Sequence, residues 1–114
     1  MAQHQALANG GWQKFSLANQ LGNIGSEISR AIRWIDKDKV SYKDAVWRAL
    51  ELFDLTLDDP RWIGHRQEIA RAREVFCDIV FGDKKYNTTL ADLLRYFDQF
   101  AYLNAIAILR PTQS

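Results

Sequence analysis

The sequence predicts an all-α protein built as an up-down-up-down antiparallel four-helix bundle. Three observations point there. Apolar residues recur at steps of three and four along four separate stretches, and no stretch alternates with a period of two. The breaks between the stretches are short and hold capping or helix-stopping residues, so successive helices are expected to run antiparallel. The stretches are of similar length, each about 25–30 Å at ~1.5 Å per residue. Residues 12–110 are expected to form one domain, preceded by a loose tail over residues 1–11.

The first helix is expected from about Ser16 to Ile35. Leu17, Leu21, Ile24, Ile28, Ala31 and Ile35 make its apolar seam, Ser16 is a suitable N-cap, and Asp36–Lys39 ("DKDK") closes it. Two glycines interrupt this helix, each at a propensity cost of about 1 kcal/mol against alanine. Ala18, Gly22, Gly25 and Ser29 fall on one stripe beside the seam. Side chains this small let another backbone approach closely, which gives the glycines a packing role; the alternative is a groove for a partner or ligand.

The second helix is expected from about Tyr42 to Leu57, opened by Ser41 with Asp44 and ended by "DDP" (Asp58–Pro60). Its inner face is Tyr42, Ala45, Val46, Ala49, Leu50, Phe53 and Leu57. The third starts near Pro60 or Gly64, with Asp59 as cap, and reaches Phe81 before Gly82. The fourth spans about Thr89–Leu109, capped by Asn87 or Thr88 and stopped by Arg110–Pro111; Leu90, Leu94, Phe97, Ala101 and Ile108 face inward.

The third helix carries the polar anomaly. Trp62, Arg66, Ile69, Arg73, Phe76 and Val80 follow the seam, so two arginines take core-facing positions with His65 beside them. A buried guanidinium left unpaired costs several kcal/mol, so partners are required. Glu27 and Asp98, flanking the seams of the first and fourth helices, are the expected ones, ahead of Glu51 and Asp54. One reading is an ion-pair network that fixes helix register, or arginines reaching the bundle edge. The other is an anion site in which Arg66 and Arg73 hold a phosphate and His65 transfers a proton.

Composition narrows the function classes. The chain has 114 residues, 47% hydrophobic and 25% charged, which is enough apolar material for a real core. A formal net charge of +1 lacks the basic excess usual for bulk attraction to nucleic acid or anionic membranes. A single cysteine, Cys77, permits no internal disulfide and reads as a small buried hydrophobe. The N-terminal segment does not read as a secretory signal, and the longest apolar run, "FAYLNAIAIL", is too short to span a bilayer. A cytoplasmic location without membrane association is expected.

No metal site and no cofactor are expected. His65-x-x-Glu68 is a single pair, where a di-iron bundle uses two such motifs and further carboxylates. "ELFD" (Glu51, Asp54) resembles half of the acidic signature of all-helical nucleotide pyrophosphohydrolases, and the Glu-x-x-Glu half is missing.

Two further resemblances concern families. "RWIGHR" (Arg61–Arg66) resembles the arginine-before-histidine motif of helical, ribonuclease-like HEPN proteins, with three residues between Arg61 and His65 where that pattern has four to six. "GNIGSEISRAIRW" and "AREVFCDIVFGD" are similar to a class of small prokaryotic all-helical proteins, a resemblance that implies a fold and no activity.

The outward faces also hold large apolar groups: Trp47 and Leu55 on the second helix, and Tyr102, Leu103 and Ile106 on the fourth. Such groups mark protein contact, here a homodimer or a separate protein partner. Arg66, Arg71, Arg73, Lys84 and Lys85 could meet phosphates, but Glu68, Glu74 and Asp78 are interleaved with them and blunt the field. The leading expectation is a non-enzymatic protein-interaction or accessory bundle that oligomerises. The alternative is a nucleic-acid-binding accessory protein or small HEPN-like ribonuclease using Arg66, Arg73 and His65 at phosphate.

Overall fold

Ser16 ends an extended approach and starts the first helix: its hydroxyl accepts the Asn19 amide at 3.1 Å, one of the donors a helix start leaves orphaned. The computed structural model describes residues 11–82 and 85–109, with side chains for all of these except Gln13 and residues 100–109. The tail expected over residues 1–11 therefore lies almost wholly outside the described residues. In chain order come a 3-10 turn, Trp12–Lys14, then helices α1, Leu17–Trp34, and α2, Lys39–Leu57, a 3-10 segment, Pro60–His65, and helices α3, Arg66–Phe81, and α4, Leu90–Leu109. No strand occurs among the described residues.

Two starts differ from expectation. α2 begins three residues early because Asp38, not Ser41, is its cap: the Asp38 carboxylate accepts from the Val40 and Ser41 amides and from the Ser41 hydroxyl. These bonds, the Ser41 hydroxyl first, hold the Asp38 pKa below the usual carboxylate value. α4 is capped by Thr89, whose hydroxyl accepts the Asp92 amide while Asp92 accepts the Thr89 amide, a reciprocal capping box. Asn87, in the loop before it, takes a positive φ of 48°.

The third helical stretch is not continuous. Asp59 accepts the Arg61 amide and starts the 3-10 segment, Trp62 departs from helical geometry at φ −106°, ψ 24°, and the α-helix proper starts only at Arg66. That break shifts the register assumed for its first seam positions.

The four helices pack together around one core. α1 makes the most extensive contacts, with α2 and α4, while α3 touches α2 and α4 more lightly. Phe53 sits at the centre, its ring 5.8 Å from that of Phe76 and 5.7 Å from that of Phe97. Leu21, Ile24, Ile28 and Ala31 are buried on α1, Ala45, Val46, Ala49 and Leu50 on α2, and Ile69 and Ala72 on α3. Each large side chain so buried contributes about 1.5–3 kcal/mol. Leu52 and Thr56 are also buried on α2, where the Trp12 indole reaches the Thr56 hydroxyl. The α1 seam ends before Ile35, which lies past the helix and is exposed.

Gly25 is buried where α1 meets α4. A Cβ built there would lie 3.0 Å from the Phe97 Cβ, tighter than ordinary van der Waals contact. The absence of a side chain therefore sets how closely the two helices approach.

Candidate functional site

The densest polar cluster is not the one expected around Arg66 and Arg73. It forms where the 3-10 turn, α1 and the end of α2 meet. Asp59 is 1% exposed, and Gln20 and Thr56 are fully buried. The Arg61 guanidinium grips the Asp59 carboxylate, with Nη2 at 2.7 Å from Oδ2, and also donates to the Phe15 carbonyl at 2.8 Å. Gln20 donates to Asp59 Oδ2 at 3.2 Å and to the Trp12 carbonyl at 2.9 Å, while its own oxygen accepts the Trp62 indole N–H at 3.0 Å. The Trp12 indole donates to the Thr56 hydroxyl at 3.1 Å. Arg61 also lies over the Trp62 ring, 4.4 Å from its centroid.

The Arg61 hydrogen bonds bring the Asp59 pKa down to about 2 against the opposing effect of burial. A carboxylate so well satisfied is a poor base. The cluster locks Trp12 and the α2–α3 connection to α1. Of its members, sequence reasoning identified Asp59 only as a cap, Arg61 only within "RWIGHR" and Trp62 only as a seam position of the third helix. Gln20 and Thr56 gave no signal, since buried amides and hydroxyls are recognised only by their partners.

The expected anion site is not assembled. Arg66 is exposed, and its Nε and Nη2 donate to the Leu57 carbonyl at 3.2 and 3.0 Å, satisfying the open end of α2. Arg73 is half-buried and pairs with Asp54 at 2.9 Å, the carboxylate ranked behind Glu27 and Asp98. The reason is helix order: α3 lies beside α2 and α4, and the α2 carboxylate is within reach. Glu27 is buried, 6% exposed, and makes a 3.5 Å ion pair with Arg30 one turn along its own helix. Asp98 is exposed on α4.

His65, exposed at the junction with α3, lines a small 110 Å³ cleft with Glu68 and Tyr96. Tyr96 donates its phenolic hydrogen to Glu68, linking α4 to α3. Burial first, then this bond, pushes the Tyr96 pKa up, so it acts here as a neutral clasp. A shallow 320 Å³ groove lies along the same seam, between Arg71, Val75 and Leu93.

Cys77 is half-buried, and burial raises its thiol pKa despite the nearby Arg73 charge, which disfavours the nucleophilic thiolate. Among the described residues, no three histidine, cysteine or carboxylate side chains gather as a metal site.

The apolar surface has a clear focus. Trp47 is 57% exposed and Phe81 60% exposed, and their rings touch across α2 and α3 with centroids 6.1 Å apart. Val40 lies two turns before Trp47 on α2 and is exposed too. Phe81 was read only as the end of its helix. Leu55, expected to face outward, is half-buried against the core. Tyr102, Leu103 and Ile106 lie outside the residues whose side chains are described. No helix among the described residues is long and apolar enough to cross a membrane.

The chain matches no protein-family model, no curated protein and no solved structure.

Proposed function

We propose that the chain is a non-enzymatic protein-interaction module, a cytoplasmic accessory bundle that self-associates through the α2–α3 face. The observation that carries this reading is the Trp47–Phe81 pair, two large rings in mutual contact with more than half of each open to water. Aromatic side chains are favoured in interface cores because they bury much area with little loss of rotamer freedom. With Val40 on the same face, the patch can meet its own copy about a two-fold axis, each Trp47 packing against the partner's surface. The engagement of Arg66 with Leu57 and of Arg73 with Asp54 favours this over the phosphate-binding alternative.

The architecture that presents this face is, in our reading, an up-down-up-down antiparallel ring. Supporting it, Trp12 before α1 meets Thr56 near the end of α2, and Arg73 on α3 meets Asp54 while Phe81 meets Trp47. Gly25 lies against Phe97, and Tyr96 bonds Glu68. Along the α2–α3 contact the chain order is reversed, the later Phe81 meeting the earlier Trp47 and the earlier Arg73 meeting the later Asp54.

Sedimentation equilibrium tests the function. Concentration-dependent self-association that is lost in Trp47→Ser and Phe81→Ser, with the fold retained by circular dichroism, is expected. A strict monomer at high micromolar concentration contradicts it.

A further inference from the structure

The end of α1, the start of α2, the end of α3 and the first turn of α4 converge around a cleft of about 420 Å³. Its walls are mainly Ile32, Ile35, Tyr42, Ile79, Leu90 and Ala91. An apolar cavity of about 150 Å³ takes benzene, so a space nearly three times larger suits a molecule of two or three rings or an equivalent alkyl body.

The polar groups in the lining differ in availability, and one of them, Asn87, is exposed in the loop before α4. The Thr88 hydroxyl is bonded to Asp92, and the Thr89 hydroxyl accepts the Asp92 amide. Tyr42 is half-buried, and its hydroxyl has no hydrogen-bond partner among the described residues. Burial alone raises the Tyr42 pKa, so the phenol stays neutral and can donate or accept. Among the described residues, no lysine, arginine, aspartate or glutamate lines the cleft. An ion entering it would lose hydration with no countercharge from these described walls.

We propose that this cleft binds a small, uncharged, mainly apolar molecule carrying one hydrogen-bonding group, which pairs with the Tyr42 hydroxyl. The apolar body fills the space between Ile32, Ile79 and Leu90, and the phenol sets its orientation. The site is distinct from the Trp47–Phe81 face and does not depend on self-association.

The test is a titration of the full chain with 1-naphthol, followed by amide chemical shifts. Saturable one-to-one changes centred on Ile32, Ile35, Ile79 and Ala91 are expected. Tyr42→Phe should weaken 1-naphthol about three- to tenfold, the worth of one neutral hydrogen bond, and leave naphthalene unchanged. The anion 1-naphthoate should bind at least about tenfold more weakly than 1-naphthol. Ala91→Trp, at an exposed position, should fill the cleft and remove both neutral ligands while keeping the parent's circular dichroism. The proposal is overturned if shifts in the unmodified chain are dispersed or non-saturable, if 1-naphthoate binds as well as 1-naphthol, or if Tyr42→Phe changes nothing. It is equally overturned if the cleft signals respond to protein concentration alone, which would mean that a second copy covers them.

Discussion

Gln20 and Asp59 are 39 residues apart in the chain, and the amide of one donates to the carboxylate of the other at 3.2 Å. Around that bond Trp12, Thr56, Arg61 and Trp62 complete a polar cluster at the edge of an otherwise apolar core. Its members come from four chain segments, so it ties the entrance of α1 to the α2–α3 connection more specifically than apolar contact could.

Asp59→Asn tests that role. The substitution keeps the shape but removes the charge that Arg61 grips, and it disturbs the Gln20 bond. A loss of about 2 kcal/mol is expected in denaturant unfolding, since hydrogen bonds to a buried charged group exceed neutral ones. Unfolding within about 0.5 kcal/mol of the parent, the range of ordinary surface changes, would mean that the cluster is incidental.

Acid should reveal the same carboxylate. Its folded pKa, about 2, lies below its ordinary 3.8, so the unfolded chain binds its proton first as pH falls. The stabilisation is fully present above pH ~4 and is lost progressively as pH falls through about 2. Asp38 and Asp92, lowered by their hydrogen bonds to Ser41 and Thr89, act in the same direction. Unfolding free energy measured across that window should fall with a shallower slope in Asp59→Asn; identical slopes would remove Asp59 from the explanation.

Two glycines should respond in opposite ways to alanine. At Gly25 a new methyl meets Phe97, itself fully buried, so overpacking of about 1–3 kcal/mol should outweigh the propensity gain of about 1. At Gly64 nothing lies within 4 Å of an added Cβ, and Gly64→Ala should be neutral or stabilising by up to about 1 kcal/mol. Thermal midpoints of the two variants decide this, and a higher midpoint for Gly25→Ala would rule out the close approach.

These residues mark what could be read in advance. The helical periodicity was legible because burial on α1 and α2 obeys it, from Leu21 to Ala31 and from Ala45 to Phe53. The small-residue stripe correctly implied a close helix contact, now located at Gly25. Partners were not legible. A one-dimensional pattern places Arg73 on a face but does not say which neighbour supplies its carboxylate, and Asp54 on α2 does so instead of Glu27 or Asp98. The non-helical Trp62 shifted the third stretch, so Arg66, assigned to the seam, caps α2 from the surface. The exposed Phe81 was hidden by its position at a helix end, where an apolar residue reads as the last core contact.

The Arg73–Asp54 pair should matter little. Both side chains are substantially exposed, and pairs of this kind are worth about 0–1 kcal/mol. A double-mutant cycle of Arg73→Ala and Asp54→Ala is expected to give a coupling within that range, decreasing with salt. A coupling of about 3 kcal/mol or more would restore the idea of a desolvated ionic core.

The central claim is that the Trp47–Phe81 face is covered by a second copy of the chain. It is tested most directly by following the tryptophan indole N–H resonances on serial dilution. The indole signals of Trp12 and Trp62, bonded within the fold to Thr56 and Gln20, serve as internal references. The Trp47 signal should move with concentration while those two stay fixed, and Phe81→Ser should abolish the movement. A Trp47 signal that is unchanged from millimolar to low micromolar protein would contradict the account.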